Sequence, residues 1–251
     1  MAKIKTVDAS EVLDAKGFPT IETTVILGDG KIGTASCPSG EKISHYEAVD
    51  LKDNDTNRFD GLGVSKAIAN IKNVIAPALI GKDAEHQPQI DKIMLELDGT
   101  QNKSRLGANA MFSVSMAVAK AAAKSSVLPL FLYLRQFVEK DTEPLKIPVP
   151  IFNFINGGNK NRRLTDFCEF LIVPASSKNY LESIQIAEII SKSIKQVIET
   201  KYAKTLDDYG ESFSPDLTTN KEAFTLIQQA VANTPIKLGL DVFFGLDSRA
   251  S

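Results

Sequence analysis

The chain has 251 residues, enough for one large domain or two ordinary ones. A hydrophobic share of 43%, a charged share of 24% and a formal charge of −2 describe a globular protein. That balance supplies no positive field to hold nucleic acid or an anionic membrane surface. No stretch approaches the roughly 20 apolar residues of a membrane span. Cys37 and Cys168 make no disulfide framework, and Met1-Ala-Lys-Ile-Lys is not a secretory signal, so the expectation is a cytoplasmic protein.

In chain order, the first third reads as a small sheet. Residues 20–28 are rich in β-branched side chains, Asp29-Gly30 supplies a turn, and Lys31 to Cys37 forms a second extended run. Helical spacing begins at Val64 and continues through Ile68, Ile71, Val74 and Ile75. A further helix carries Ile90, Ile93, Met94 and Leu97 and stops at Asp98-Gly99. Residues 107–124 are small and apolar on nearly every side, which predicts a helix buried in a core.

The pattern changes after a polar stretch from Glu139 to Lys146. Short apolar strands at 147–155 and 167–174 precede an amphipathic helix from about Lys178 to Lys201. A second helix opens at Thr219-Asn220-Lys221-Glu222, a capping box, and a third strand is expected over Ile236 to Phe244. Strands alternating with helices predict parallel pairing, as at the start of a barrel. Three strands are too few for a finished parallel domain, which suggests an interrupted one.

Several strings carry a resemblance: residues 11–20 (EVLDAKGFPT), 76–83 (APALIGKD), 98–110 (DGTQNKSRLGANA), 148–158 (PVPIFNFINGG) and 169–174 (EFLIVP). In this order and spacing, from residue 3 to about 243, the chain resembles enolase, the lyase that interconverts 2-phosphoglycerate and phosphoenolpyruvate. The resemblance implies an α+β N-terminal domain (small antiparallel sheet plus helices) over 1–140. It further implies an incomplete enolase-type β/α barrel over 141–251, with its first three strands and two helices.

Enolase chemistry removes a weakly acidic proton beside a carboxylate. Magnesium held by carboxylate oxygens stabilises the ene-diolate that forms, the scheme for which this superfamily is a standard example. The resemblance assigns Asp241, in Gly-Leu-Asp-Val, to the one remaining metal carboxylate. The plainer alternative is a strand-end aspartate capping local amides, and Asp247 is read as a solvated tail residue. The other metal carboxylates and the lysine base match nothing in this chain. One carboxylate is too few for a hard cation, so no cofactor is expected for the chain alone.

Other positions depart from the family pattern. The loop serine that would ligate a second magnesium is Lys42, and the active-site histidine after Asn156-Gly157-Gly158 is Lys160. Both lysines are candidate substrate-binding groups, and a solvated basic loop is the alternative for Lys160-Asn161-Arg162-Arg163. The acid motif reads Asp208-Tyr209-Gly210-Glu211-Ser212, with Gly210 at the acid position unless a one-residue shift brings in Glu211. Glu169, which in the family faces the substrate, is retained. Phe170 and Ile172 would point away from it, leaving Glu169 toward the barrel interior. His45 and His86 read as exposed polar residues.

Positions that carry the fold match, while positions that carry the chemistry fail in three loops. The expectation is a non-catalytic, enolase-like protein acting through a partner, either as a homo-oligomer or as a heterocomplex with a full-length enolase. The alternative is a magnesium-dependent phosphopyruvate hydratase whose remaining barrel comes from another chain.

Overall fold

The computed structural model describes residues 2–40, 46–138, 144–159, 162–163, 165–201 and 212–248. Two compact units divide the chain, Met1–Glu143 and Pro144–Ser251.

In the first unit β1 (Ile4–Leu13), β2 (Pro19–Leu27) and β3 (Ile32–Cys37) form an antiparallel sheet in that order. The β2–β3 hairpin turns at Asp29-Gly30, where Gly30 adopts a φ of 82° that a side chain would resist. Next comes a helical run of α1 (Ser65–Asn70), a π turn (Ile71–Ile75) and α2 (Ala76–Leu79). The π turn falls just before Pro77, whose missing N–H interrupts the regular ladder. Helix α3 (Gln87–Asp98) stops at Gly99, in the left-handed conformation expected of such a stop.

Helix α4 (Ala108–Ser125) is the buried small-residue helix, and a short α5 (Leu130–Arg135) follows it. Val114, Ala117, Val118 and Ala121 of α4 share a core with Ile21, Val25, Ile71 and Ile75. Its small residues let β3 come very close. A methyl group on Gly33 would collide with the Ala117 carbonyl and the Ala121 amide.

In the second unit β4 (Phe152–Asn156) leads into a two-residue ladder of β5 (Gly158–Asn159) and β6 (Arg162–Arg163). Then come β7 (Glu169–Pro174), α6 (Tyr180–Lys201), α7 (Asn220–Ala232) and β8 (Val242–Asp247). Thr219 and Glu222 make the expected capping box at α7. The sheet order is β4-β7-β8, an open three-stranded sheet rather than a closed barrel. Phe170 and Ile172 of β7 pack with Ile190 and Ile194 of α6 and with Leu226 and Ile227 of α7.

Two expectations need correction. Parallel pairing was expected, yet β7 runs antiparallel to both neighbours. A short connection returns the chain from β4, and two packed helices separate β7 from β8. One crossover helix would carry the chain back to the start of β7 and make a parallel pair. Two helices carry it out and back, so β8 begins where β7 ends.

The third strand also starts later than the expected Ile236. Gly239 has a φ of 83°, and the Asp241 amide donates to the Lys237 carbonyl at 2.8 Å, making 237–241 a turn. Asp241 therefore precedes β8 instead of lying within it.

Candidate functional site

Strand alternation divides the second sheet into two faces. One carries Phe170, Ile172, Phe244 and Leu246 toward the helices, with Phe224 of α7 edge-on to both Phe170 and Phe244. On the other face the register aligns Asn156, Glu169 and Asp247 in a single row across β4, β7 and β8. Residues directly opposite in antiparallel strands have Cβ atoms about 5 Å apart, so Glu169 and Asp247 are immediate neighbours. Glu169 is half-buried and Asp247 exposed.

A polar network borders this row. The Asn153 amide donates to Asn156 Oδ1 at 2.9 Å, and Asn156 Nδ2 donates to the Ser212 hydroxyl. Asn153 Oδ1 is buried and, among the described residues, has no hydrogen-bond partner. Phe213 is strapped along β4, donating to the Phe154 carbonyl and accepting from the Asn156 amide, each at 2.9 Å. The end of the acid-motif segment is thus held beside the row. Glu211 itself lies outside the described residues, as do Lys42 and Lys160. Of the Lys42 loop, the flanks are seen. The Lys52 ammonium donates to the Ser39 hydroxyl at 2.8 Å, and the Gly40 amide to Asp50 at 3.3 Å.

Asp241 is not part of the row. It sits beyond the far end of β7, where the Ala175 amide donates to its carbonyl at 2.8 Å. Five residue steps of strand separate Glu169 from Pro174, roughly 17 Å. Both oxygens of the Asp241 side chain are engaged. Lys178 forms an ion pair with Oδ1 at 2.7 Å, and the Lys237 amide donates to Oδ2 at 2.9 Å. The Lys178 bond, then the Lys237 amide, holds the Asp241 carboxyl below its ordinary range, and Asp241 in turn raises the Lys178 ammonium. The Asp241 side chain ties Lys178 to the 237–241 turn.

The two units correspond to two known domain models. The enolase N-terminal domain matches residues 4–134, and the enolase C-terminal TIM barrel domain matches residues 144–251. The chain belongs to the enolase family.

The enolase family uses magnesium. Glu169 and Asp247 bring two carboxylates to one place, and among the described residues no three His, Cys, Asp or Glu side chains come together. A hard divalent cation takes about six oxygen ligands. Both carboxylate oxygens of Asp241 already accept, one from the Lys178 ammonium and one from the Lys237 amide.

Sequence reasoning missed two residues here. Lys178 gave no signal, since its partner lies 63 positions later and only the fold unites them. Asp247 did give one: Gly239-Leu240-Asp241 and Gly245-Leu246-Asp247 repeat the same tripeptide, so a family motif can be laid on either. Among the described residues no helix is long and apolar enough to cross a membrane.

Proposed function

We propose that this chain is a non-catalytic enolase-family protein that acts in the cytoplasm by association, either with itself or with a full-length enolase. One observation carries the reading. The aspartate that the family resemblance assigns to the metal is tied to Lys178, far along the strand from Glu169. Asp247 is better placed for a barrel carboxylate. It closes β8 at its C-terminal end, where barrel enzymes gather their catalytic groups, and it lies beside Glu169. Two carboxylates still provide neither a base matched to the reaction nor a cation shell, and the loops present lysine at positions 42 and 160. Lys42 and Lys160 could hold an anionic ligand without turnover, and Glu211 could reach the row only through a shifted loop. The sequence divides near residue 140 into the two family domains, and no cofactor is assigned to the chain alone.

The juxtaposition of Glu169 and Asp247 supports a second reading. A partner chain carrying further barrel carboxylates and a lysine would make the row half of a hydratase site. The two readings separate in one comparison. Phosphoenolpyruvate formation from 2-phosphoglycerate with magnesium is followed for a Lys42→Ser, Lys160→His double variant, and for the unaltered chain mixed with an enolase barrel segment. The non-catalytic reading expects no turnover in either. Turnover in the mixture, lost with Asp247→Ala, establishes the second reading instead, and turnover by the double variant alone overturns both.

A further inference from the structure

We propose that Lys120 and Lys124 of α4 guard the outer edge of β3, filling its outward carbonyls so that no further strand adds to the N-terminal sheet. The device belongs to the first unit alone and is independent of turnover.

The register of the sheet decides which backbone groups of β3 are free. The Leu27 amide donates to the Lys31 carbonyl at 2.9 Å, and Val25 lies opposite Gly33. The alternation of an antiparallel ladder therefore turns Gly33, Ala35 and Cys37 toward β2. Ile32, Thr34 and Ser36 direct their N–H and C=O groups away from the sheet. Among the described residues no strand pairs with them. An edge of this kind is a template for another strand.

Charge on the strand itself is one ordinary defence of such an edge. The opposite edge follows that rule, since β1 carries Lys5, Asp8 and Glu11. β3 reads Ile-Gly-Thr-Ala-Ser-Cys and has no charged residue. It pairs with β2, whose Thr-Ile-Glu-Thr-Thr-Val-Ile-Leu run is rich in the β-branched residues that extend sheets readily.

Helix α4 supplies what β3 lacks. The Lys120 ammonium donates to the Thr34 carbonyl at 3.1 Å, and the Lys124 ammonium to the Ile32 carbonyl at 2.7 Å. The spacings match. Four residues of helix advance about 6 Å, and two residues of strand about 6.7 Å. Lysines one turn apart thus meet alternate carbonyls. The close approach of Gly33 to Ala117 and Ala121 brings the edge within reach of both side chains. Beyond Ser36 the next outward position is Pro38, which has no N–H to offer.

An incoming strand would have to displace both ammonium groups or bury them. Its own N–H groups cannot accept from an ammonium, and a buried charge without a partner is costly. Methionine in place of each lysine keeps an unbranched stem, removes the donor and reopens the carbonyl.

The test is light scattering and thioflavin fluorescence of the 251-residue chain, held well below the Tm of each variant. The Lys120→Met, Lys124→Met pair should form β assemblies on the order of tenfold faster than the unaltered chain. Lys120→Arg, Lys124→Arg keeps charged donors and should match the unaltered chain. Lys92→Met, Lys221→Met removes the same charge from exposed positions on α3 and α7, and should also match it. Hydrogen exchange on the assemblies should show protection gained over residues 32–36. An unchanged rate in the first pair, an equal rise in the Lys92, Lys221 pair, or protection gained only outside β3 overturns the proposal. None of these outcomes bears on turnover, which the activity comparison reads separately.

Discussion

Replacing Val127 with glycine should stabilise the N-terminal unit. Helix α4 ends in a Schellman arrangement, in which the Leu128 amide donates to the Ala123 carbonyl at 2.9 Å and the Val127 amide to Lys124 at 3.3 Å. That geometry places Val127 in the left-handed region, with a φ of 55°. A side chain held there costs roughly 1–2 kcal/mol, and a β-branched one sits at the upper end. Val127 is 84% exposed, so its removal gives up almost no packing. Glycine also frees the unfolded chain, which takes back roughly 0.4–1 kcal/mol. The net expectation is a gain of about 0.5–1 kcal/mol. For a protein of this length each kcal/mol moves Tm by roughly 2–4 °C, so the rise should be about 1–4 °C by circular dichroism or calorimetry. Val127→Ala is the control, because alanine keeps the Cβ and most of the strain. If alanine matches glycine, or glycine lowers Tm, the strain argument is wrong.

Other consequences follow from the same packing and charges. Gly33→Ala drives a methyl group into backbone of α4, which cannot give way as a side chain would. It should destabilise the N-terminal unit by about 1–3 kcal/mol in urea unfolding; a loss below a few tenths would mean that β3 moves freely over α4. The Asp241–Lys178 pair gives a pH signature. Asp241 is depressed in the folded state, so its contribution is complete above the unfolded value of about 3.9 and is lost as pH falls through the lower folded value. Lys178 is raised, so its contribution is complete below about 10.4 and is lost as pH rises through the higher folded value. The urea midpoint of Asp241→Asn should therefore lie below that of the unaltered chain from about pH 5 to 9, the gap closing in acid. A gap that stays constant down to pH 2.5 would show that the pair adds nothing through its charge.

Much of the N-terminal unit was legible in the sequence because its signals are local. β-Branched runs around Asp29-Gly30 became β2 and β3. The Asp98-Gly99 stop ended α3, and the small residues of 107–124 became the helix that β3 approaches. The capping box at Thr219 was equally local. What escaped was set by distant partners. The direction of β8 depends on the number of helices between strands, and helix count was read correctly without drawing that consequence. The start of β8 depends on a turn that Gly239 allows, inside a run apolar enough to pass for strand. That displacement of six residues takes Asp241 from the row beside Glu169 to the Lys178 clasp.

The central claim meets its most direct test in turnover by the chain itself. Purified protein, saturating magnesium and 2-phosphoglycerate are incubated, and phosphoenolpyruvate is followed at high enzyme concentration. With Asp241 held by Lys178 and lysine at positions 42 and 160, the account predicts no product above the protein-free control. Magnesium-dependent product that disappears with Glu169→Gln or Asp247→Ala, measured on folded variants, would contradict it.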